Sequence, residues 1–174
     1  RPPNMKIRTV TKETQSKVYG LLRRAFPGSS YEEDLVKKLH DNNRPIHEWI
    51  SIHAGKAIAY VAFSNAYNGT DVCGLHLAPM AVTPEFQKQG IGSELLQFAL
   101  RQESIKNQSL FVLGEPFYYK KFGFENCSLP ICPFDKNNAH FLSMRNETTN
   151  QFTVGYEPEF KTADQSSSRK KKRR

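Results

Sequence analysis

The stretch Leu75-His76-Leu77-Ala78-Pro79-Met80-Ala81-Val82-Thr83-Pro84-Glu85-Phe86-Gln87-Lys88-Gln89-Gly90-Ile91-Gly92-Ser93 decides how the rest of the chain is read. It opens as an apolar run with strand character, crosses a turn at Pro84 and enters a glycine-rich segment that starts a helix. The first N–H groups of a helix have no partner inside it, and the helix dipole adds positive potential there, so such a loop has the makings of an anion site. Glycines at 90 and 92 remove the Cβ atoms that would hold a phosphate off the backbone. A glycine pair also serves ordinary turns, so the flanking sequence has to make the site specific.

Upstream, residues 72–82 read as the strand feeding this loop. Two β-rich runs precede it, 47–54 and 57–66, joined through Ala54-Gly55-Lys56 as a hairpin. Met5 to Val10 alternates as a first strand. Val18, Leu21, Leu22, Ala25 and Phe26 recur at helical spacing, predicting a helix over 12–26 with Thr11 as its cap. A second helix follows Pro27-Gly28-Ser29-Ser30, with Leu35, Val36 and Leu39 on its buried face, and stops at Asn42-Asn43-Arg44-Pro45. Downstream, Ile91, Leu95, Leu96, Ala99 and Leu100 put one apolar face on a helix over about 90–104. Leu110 to Leu113 suits a buried strand, and Phe117 to Phe122 a helix of one to two turns. Strands are expected from Gly123-Phe124, at His140 to Met144 and at Gln151 to Val154. The pattern β-α-α-β-β-β-α-β-α-β-β predicts an α/β (α+β) fold, a mixed sheet flanked by helices.

At 174 residues the chain is long enough for one domain with a core of its own. No apolar run approaches the roughly 18 residues of a membrane span, and the N-terminus has no apolar signal core, so a cytoplasmic location with no membrane partner is expected. Three cysteines, Cys73, Cys127 and Cys132, lack metal-ligand spacing and read as structural thiols; no metal is expected. Cys73 and His76 sit three apart, which in a strand puts them on opposite faces. The net charge of +8 is uneven. Residues 161–174 hold seven cations against Asp164, which leaves about +2 for the rest. A domain over 5–160 and a disordered basic tail over 161–174 are therefore expected. No Walker A sequence, H-E-x-x-H or G-x-S-x-G is present.

Two pieces meet at a characteristic separation. Gln87-Lys88-Gln89-Gly90-Ile91-Gly92 fits Q/R-x-x-G-x-G/A, and Tyr119-Lys120-Lys121-Phe122-Gly123-Phe124 sets a tyrosine four and five residues before Gly-Phe. With a strand, loop and helix around the first and a short helix before the second, the chain resembles the GNAT superfamily of N-acetyltransferases. Leu77 to Val82 and Val112 to Tyr119 bring it closer to the YhbS-like bacterial branch. The resemblance runs from about Met5 to Phe160 and implies a GNAT-like, mostly antiparallel central sheet.

It also implies acetyl-coenzyme A as co-substrate and an amine, on a small molecule or a protein, as acceptor. The amides of Gln89, Gly90, Ile91, Gly92 and Ser93, with Gln87 and Lys88, would hold the pyrophosphate, and Met80, Ala81 and Val82 the pantetheine arm. An N–H of Met80 or Val82 would steady the oxyanion formed as the amine attacks the thioester. By its place in the motif, Tyr119 would line the cofactor and protonate the departing thiolate. His76 and Glu115 are candidate bases, and Tyr118 a substrate-side wall. Two alternatives from other classes stand beside this reading: a non-catalytic module that binds acyl-coenzyme A, and a nucleic-acid-associated protein acting through Arg169 to Arg174.

Overall fold

The computed structural model describes Pro2 and residues 4–163. Seven strands form one sheet: β1 (Lys6–Thr9), β2 (Ile46–His53), β3 (Lys56–Asn68), β4 (Asp71–Val82), β5 (Leu110–Leu113), β6 (Glu125–Asn126) and β7 (Phe141–Met144). Their spatial order is β1-β2-β3-β4-β5-β7-β6. β4 and β5 run parallel, whereas β1 with β2, β5 with β7 and β6 with β7 are antiparallel. The helices are α1 (Gln15–Ala25), α2 (Tyr31–Asp41), α3 (Ile91–Leu100) and α4 (Pro116–Lys120). The expected α/β (α+β) class and the mostly antiparallel sheet are both present. Between β2 and β3, Ala54 and Gly55 take φ of 52° and 74°, the left-handed pair that a two-residue hairpin needs to match strand twist.

The chain forms two compact units. In the first, residues up to 62, 79–99 and from 158 on, Val18, Leu21 and Leu22 of α1 and Val36 of α2 pack with Ile50, Ala57, Tyr60, Ala62 and Ala81 of the strands. Trp49 of β2, buried opposite Thr9 of β1, is the sole tryptophan of the sequence. A polar chain ties the helices to the strands. Tyr19 Oη meets His40 Nδ1 at 2.7 Å, His40 Nε2 meets Glu48 at 2.8 Å, and Tyr60 Oη donates to Glu48 at 2.7 Å. Burial, then Asp41, Glu48 and Glu33, pushes the Tyr19 phenol up to about 12. In the second unit, residues 63–78 and 100–157, the core holds Ala66, Phe111, Cys127, Cys132, Phe141 and Val154. The three cysteines are free thiols, with Cys127 and Cys132 buried and Cys73 half-buried.

Four expectations need correction. The helix foreseen over 12–26 divides into a 3-10 turn, Lys12–Thr14, and α1, because the Thr14 hydroxyl takes the Thr11 N–H and caps locally. The helix foreseen to 104 stops at Leu100. Ile105 is fully buried, and the Ile105 and Gln108 carbonyls are held by the Arg145 guanidinium instead of by a helix. Residues 151–154 make no ladder. Their backbone bonds run through Ile131 alone, with Pro130 before it and Pro133 two residues on, neither of which can donate. Residues 161–163, read as tail, complete a helical turn over 159–163 that buries Phe160 and Ala163. Tyr31 Oη donates to the Phe160 carbonyl at 3.0 Å, and Arg44 pairs with Glu159 at 2.6 Å. The remainder of the basic tail, Arg169 to Arg174 included, lies outside the described residues. Among those that are described, no helix is long and apolar enough to cross a membrane.

Candidate active site

The end of β4 offers a strand edge. Its register with β5 comprises Leu75↔Leu110 and His76↔Phe111, so the pairs end before Pro79, which has no N–H to give. Leu75 donates to the Ser109 carbonyl, towards β5, whereas Thr83 donates to the Ile58 carbonyl, towards β3, each at 2.9 Å. Positions eight apart on an unbroken strand turn their N–H groups to the same edge. β4 therefore takes in one extra residue between them, a bulge. From Pro79 to Thr83 burial alternates regularly: Pro79, Ala81 and Thr83 are buried, Met80 and Val82 half-buried. With Thr83 turned to β3, Met80 and Val82 present their backbone polar groups to the opposite edge. The Val82 carbonyl there already accepts Gln87 Nε2 at 2.9 Å, so the group Val82 has to offer is its N–H.

A 3-10 turn at Pro84–Phe86 leads into the loop. Lys88 (φ 62°) and Gly90 (φ 77°) are both left-handed, separated by Gln89, and α3 begins at Ile91. Such alternation turns successive N–H groups to one side. No acceptor within the described residues takes the backbone N–H of Lys88, Gln89, Gly90, Ile91 or Gly92. The first intrahelical bond of α3 is Glu94 N–H to the Gly90 carbonyl, at 3.0 Å. The two glutamine side chains, both exposed, fold back along the loop, Gln89 Nε2 donating to the Glu85 carbonyl at 3.0 Å as Gln87 does to Val82. They brace the loop, and the amides do the offering. A Cβ built on Gly90 would meet nothing within 4 Å, so that side of the loop is open. A row of unpaired amides at a helix start fits a pyrophosphate. Ser93 follows in the first turn of α3, half-buried.

In the second unit, α4 opens on Pro116 at its first position, and Tyr119 sits one turn in. The Tyr119 ring meets Tyr118 edge-on (centroids 5.0 Å, 86°) and Phe124 likewise (5.9 Å, 78°). Burial, with a smaller contribution from Tyr118, pushes its phenol up to about 12, and its hydroxyl takes no partner among the described residues.

Known proteins share this sequence pattern and fold. The acetyltransferase (GNAT) domain family matches residues 45–126. The uncharacterized N-acetyltransferase YjhQ of Escherichia coli K12 is 38% identical over 111 residues, 60% of this chain and 61% of YjhQ. YhbS of the same strain, also an uncharacterized N-acetyltransferase, is 32% identical over 108 residues, 60% of this chain and 64% of YhbS. The crystal structure of E. coli YhbS in complex with CoA matches with a TM-score of 0.81 at 25% identity, over 92% of this chain and 95% of that one. Residues 45–126 match a GNAT domain, and the chain has the fold of the YhbS structure. A GNAT family acetyltransferase from Brucella melitensis, in complex with acetyl-CoA, shares the fold: TM-score 0.75, 24% identity, over 90% of this chain and 98% of that one. The chain spans about three-fifths of the length of the curated relatives it matches.

The other singled-out residues take distinct places. His76 is buried, 1% exposed, its Nε2 donating to the Gly155 carbonyl at 2.9 Å and its ring stacked on Tyr156 at 3.5 Å. With Nε2 carrying the proton, Nδ1 is a bare acceptor, and it has no partner. Burial lowers its pKa to about 4, the Gly155 bond opposing only in part. A neutral imidazole sealed by Tyr156 packs the core and has no route to a substrate as it stands. Glu115 is exposed at the N-cap of α4, its carbonyl taking the Tyr119 N–H at 3.1 Å. Tyr118 is half-buried between Tyr119 and Phe122. Two features escaped the sequence reading. Glu157 is buried with one oxygen on the Tyr67 hydroxyl at 3.0 Å and the other without a partner. Gly114 lies directly under the Tyr119 ring. Their partners are distant in sequence or depend on the angle of a short helix, so no local pattern announces them.

Proposed function

We propose that the domain is an acetyl-coenzyme A-dependent N-acetyltransferase acting on an amine. The observation that carries this reading is the row of unpaired amides from Lys88 to Gly92 at the start of α3, beside a strand end whose Met80 and Val82 turn backbone groups to a free edge. Acetyl-coenzyme A supplies a thioester, at whose carbonyl the amine attacks. In this reading the 88–92 amides and Ser93 bind the pyrophosphate, and Lys88 adds positive charge. Met80 and Val82 give N–H groups, to the pantetheine amides and to the carbonyl oxygen as it gains charge. Tyr119, protonated at every physiological pH, returns a proton to the sulfur as it leaves. The complexes of E. coli YhbS with CoA and of the Brucella protein with acetyl-CoA support the choice of ligand.

The acceptor amine must lose a proton, and no side chain is assigned to take it. The sealed position of His76 favours a second reading, a module that binds acyl-coenzyme A without turnover. Thermal unfolding with added acetyl-coenzyme A, then thiol release across a panel of amines, separates the two. A ligand of the folded state raises Tm by mass action, about 2.7 kcal/mol at a hundredfold excess over Kd. A rise in Tm with thiol release is expected. A rise without release on any amine supports the module, and no rise at millimolar ligand overturns both.

A further inference from the structure

We infer that Gly114 is a positioning residue: the bare backbone at the end of β5 is the seat that aims the Tyr119 hydroxyl. The inference rests on the reading of Tyr119 as the proton donor, and the geometry is independent of it. A Cβ built on Gly114 would stand 2.6 Å from Tyr119 Cε2, 3.2 Å from Cδ2 and 3.5 Å from Cζ. Carbon atoms in contact sit about 3.5–4.0 Å apart, so the ring occupies the space a side chain would fill. Gly114 cannot retreat freely, because its N–H donates to the His140 carbonyl at 2.9 Å, next to the β5–β7 ladder. Phe124, 1% exposed, meets the same ring edge-on. The hydroxyl itself is tied to nothing in the described chain, so no hydrogen bond aims it. Ring packing on Gly114 and against Phe124 sets its direction. Any residue other than glycine at 114 must move the ring by roughly 1 Å, and a displacement of that size costs up to about a hundredfold in rate.

The test pairs a structural readout with a kinetic one, in Gly114→Ala, Tyr119→Phe and the double variant. In [13Cζ]tyrosine-labelled protein, with the Tyr119 signal assigned by its loss in Tyr119→Phe, Gly114→Ala is expected to shift that signal and lower its titration midpoint towards 10 as the ring moves into water. Against an amine that supports turnover, Gly114→Ala is expected to lower kcat about tenfold or more, with KM for acetyl-coenzyme A unchanged and no further loss on the Tyr119→Phe background. An unmoved Tyr119 signal overturns the seat whatever the kinetics. A full additional loss in the double variant overturns positioning through the hydroxyl. If Tyr119→Phe keeps wild-type kcat while Gly114→Ala still moves the signal, the proton-donor role falls and the seat stands. Should Gly114→Ala fail to fold, Phe124→Leu removes the opposing wall and is expected to move the same signal; a signal unmoved there overturns the inference.

Discussion

At Tyr119 the chain keeps a phenol protonated by drawing a half-buried ring out of water, and its hydroxyl has no partner among the described residues. With the pKa raised to about 12, the proton stays on between pH 7 and 10, so loss of this acid does not limit rate in that range. The pH–rate profile on a lysine-like amine is expected to rise with deprotonation of the acceptor and to show no falling limb below about pH 11. Tyr119→Phe is expected to lower kcat about a hundredfold, with acetyl-coenzyme A affinity nearly unchanged. A falling limb near pH 9 sinks this assignment. His76 works the other way, as its fold-state pKa is depressed from 6.5 to about 4. Unfolding lets the ring take a proton, so its contribution to stability is full above about pH 6.5 and is lost as pH falls towards 4. In urea unfolding, His76→Gln is expected to lack this acid-side loss, of order 3 kcal/mol, relative to wild type; identical pH slopes in both proteins refute it. The motif spacing singled out Tyr119 in the sequence, but not the contact of its ring with Gly114. The position of His76 on a strand was legible too, but not its burial, because Tyr156 and Gly155 arrive from eighty residues away.

At the scale of elements, the β4 end, loop and α3 form one device, and most of it was readable. Glycine at 90 is needed for a left-handed turn into the helix, and the same turn aligns the amides. Gly90→Ala has room for its methyl but keeps an unfavourable φ, worth about 1 kcal/mol. Its Cβ also stands on the open side of the loop, so Kd for acetyl-coenzyme A, measured by calorimetry, is expected to rise about tenfold; an unchanged Kd removes Gly90 from the cradle. The strand bulge and the left-handed Lys88 were not readable, since neither residue type nor periodicity demands them. Helix and strand ends failed where groups from elsewhere in the chain, a side chain in one case and a backbone in the other, took over backbone bonds. Arg145 does so for the carbonyls after α3, and Ile131 alone supports 151–154.

Across the whole molecule, the order of elements followed the sequence pattern as far as β7, because apolar periodicity is a local property. The polar links that join distant elements did not. Tyr19, His40, Glu48 and Tyr60 come from four different elements, and each alone reads as an ordinary surface or core residue. The sole tryptophan has a practical consequence. Trp49 belongs to the first unit, whereas Tyr67, Tyr118, Tyr119 and Tyr156, four of seven tyrosines, belong to the second. Indole emission and near-ultraviolet tyrosine circular dichroism therefore serve as two optical reporters built into one chain. β3 and β4 each have backbone in both units, so melting one unit frays strands of the other. The two signals are expected to trace a single urea transition with a common midpoint, and midpoints that separate would show two independent melting events.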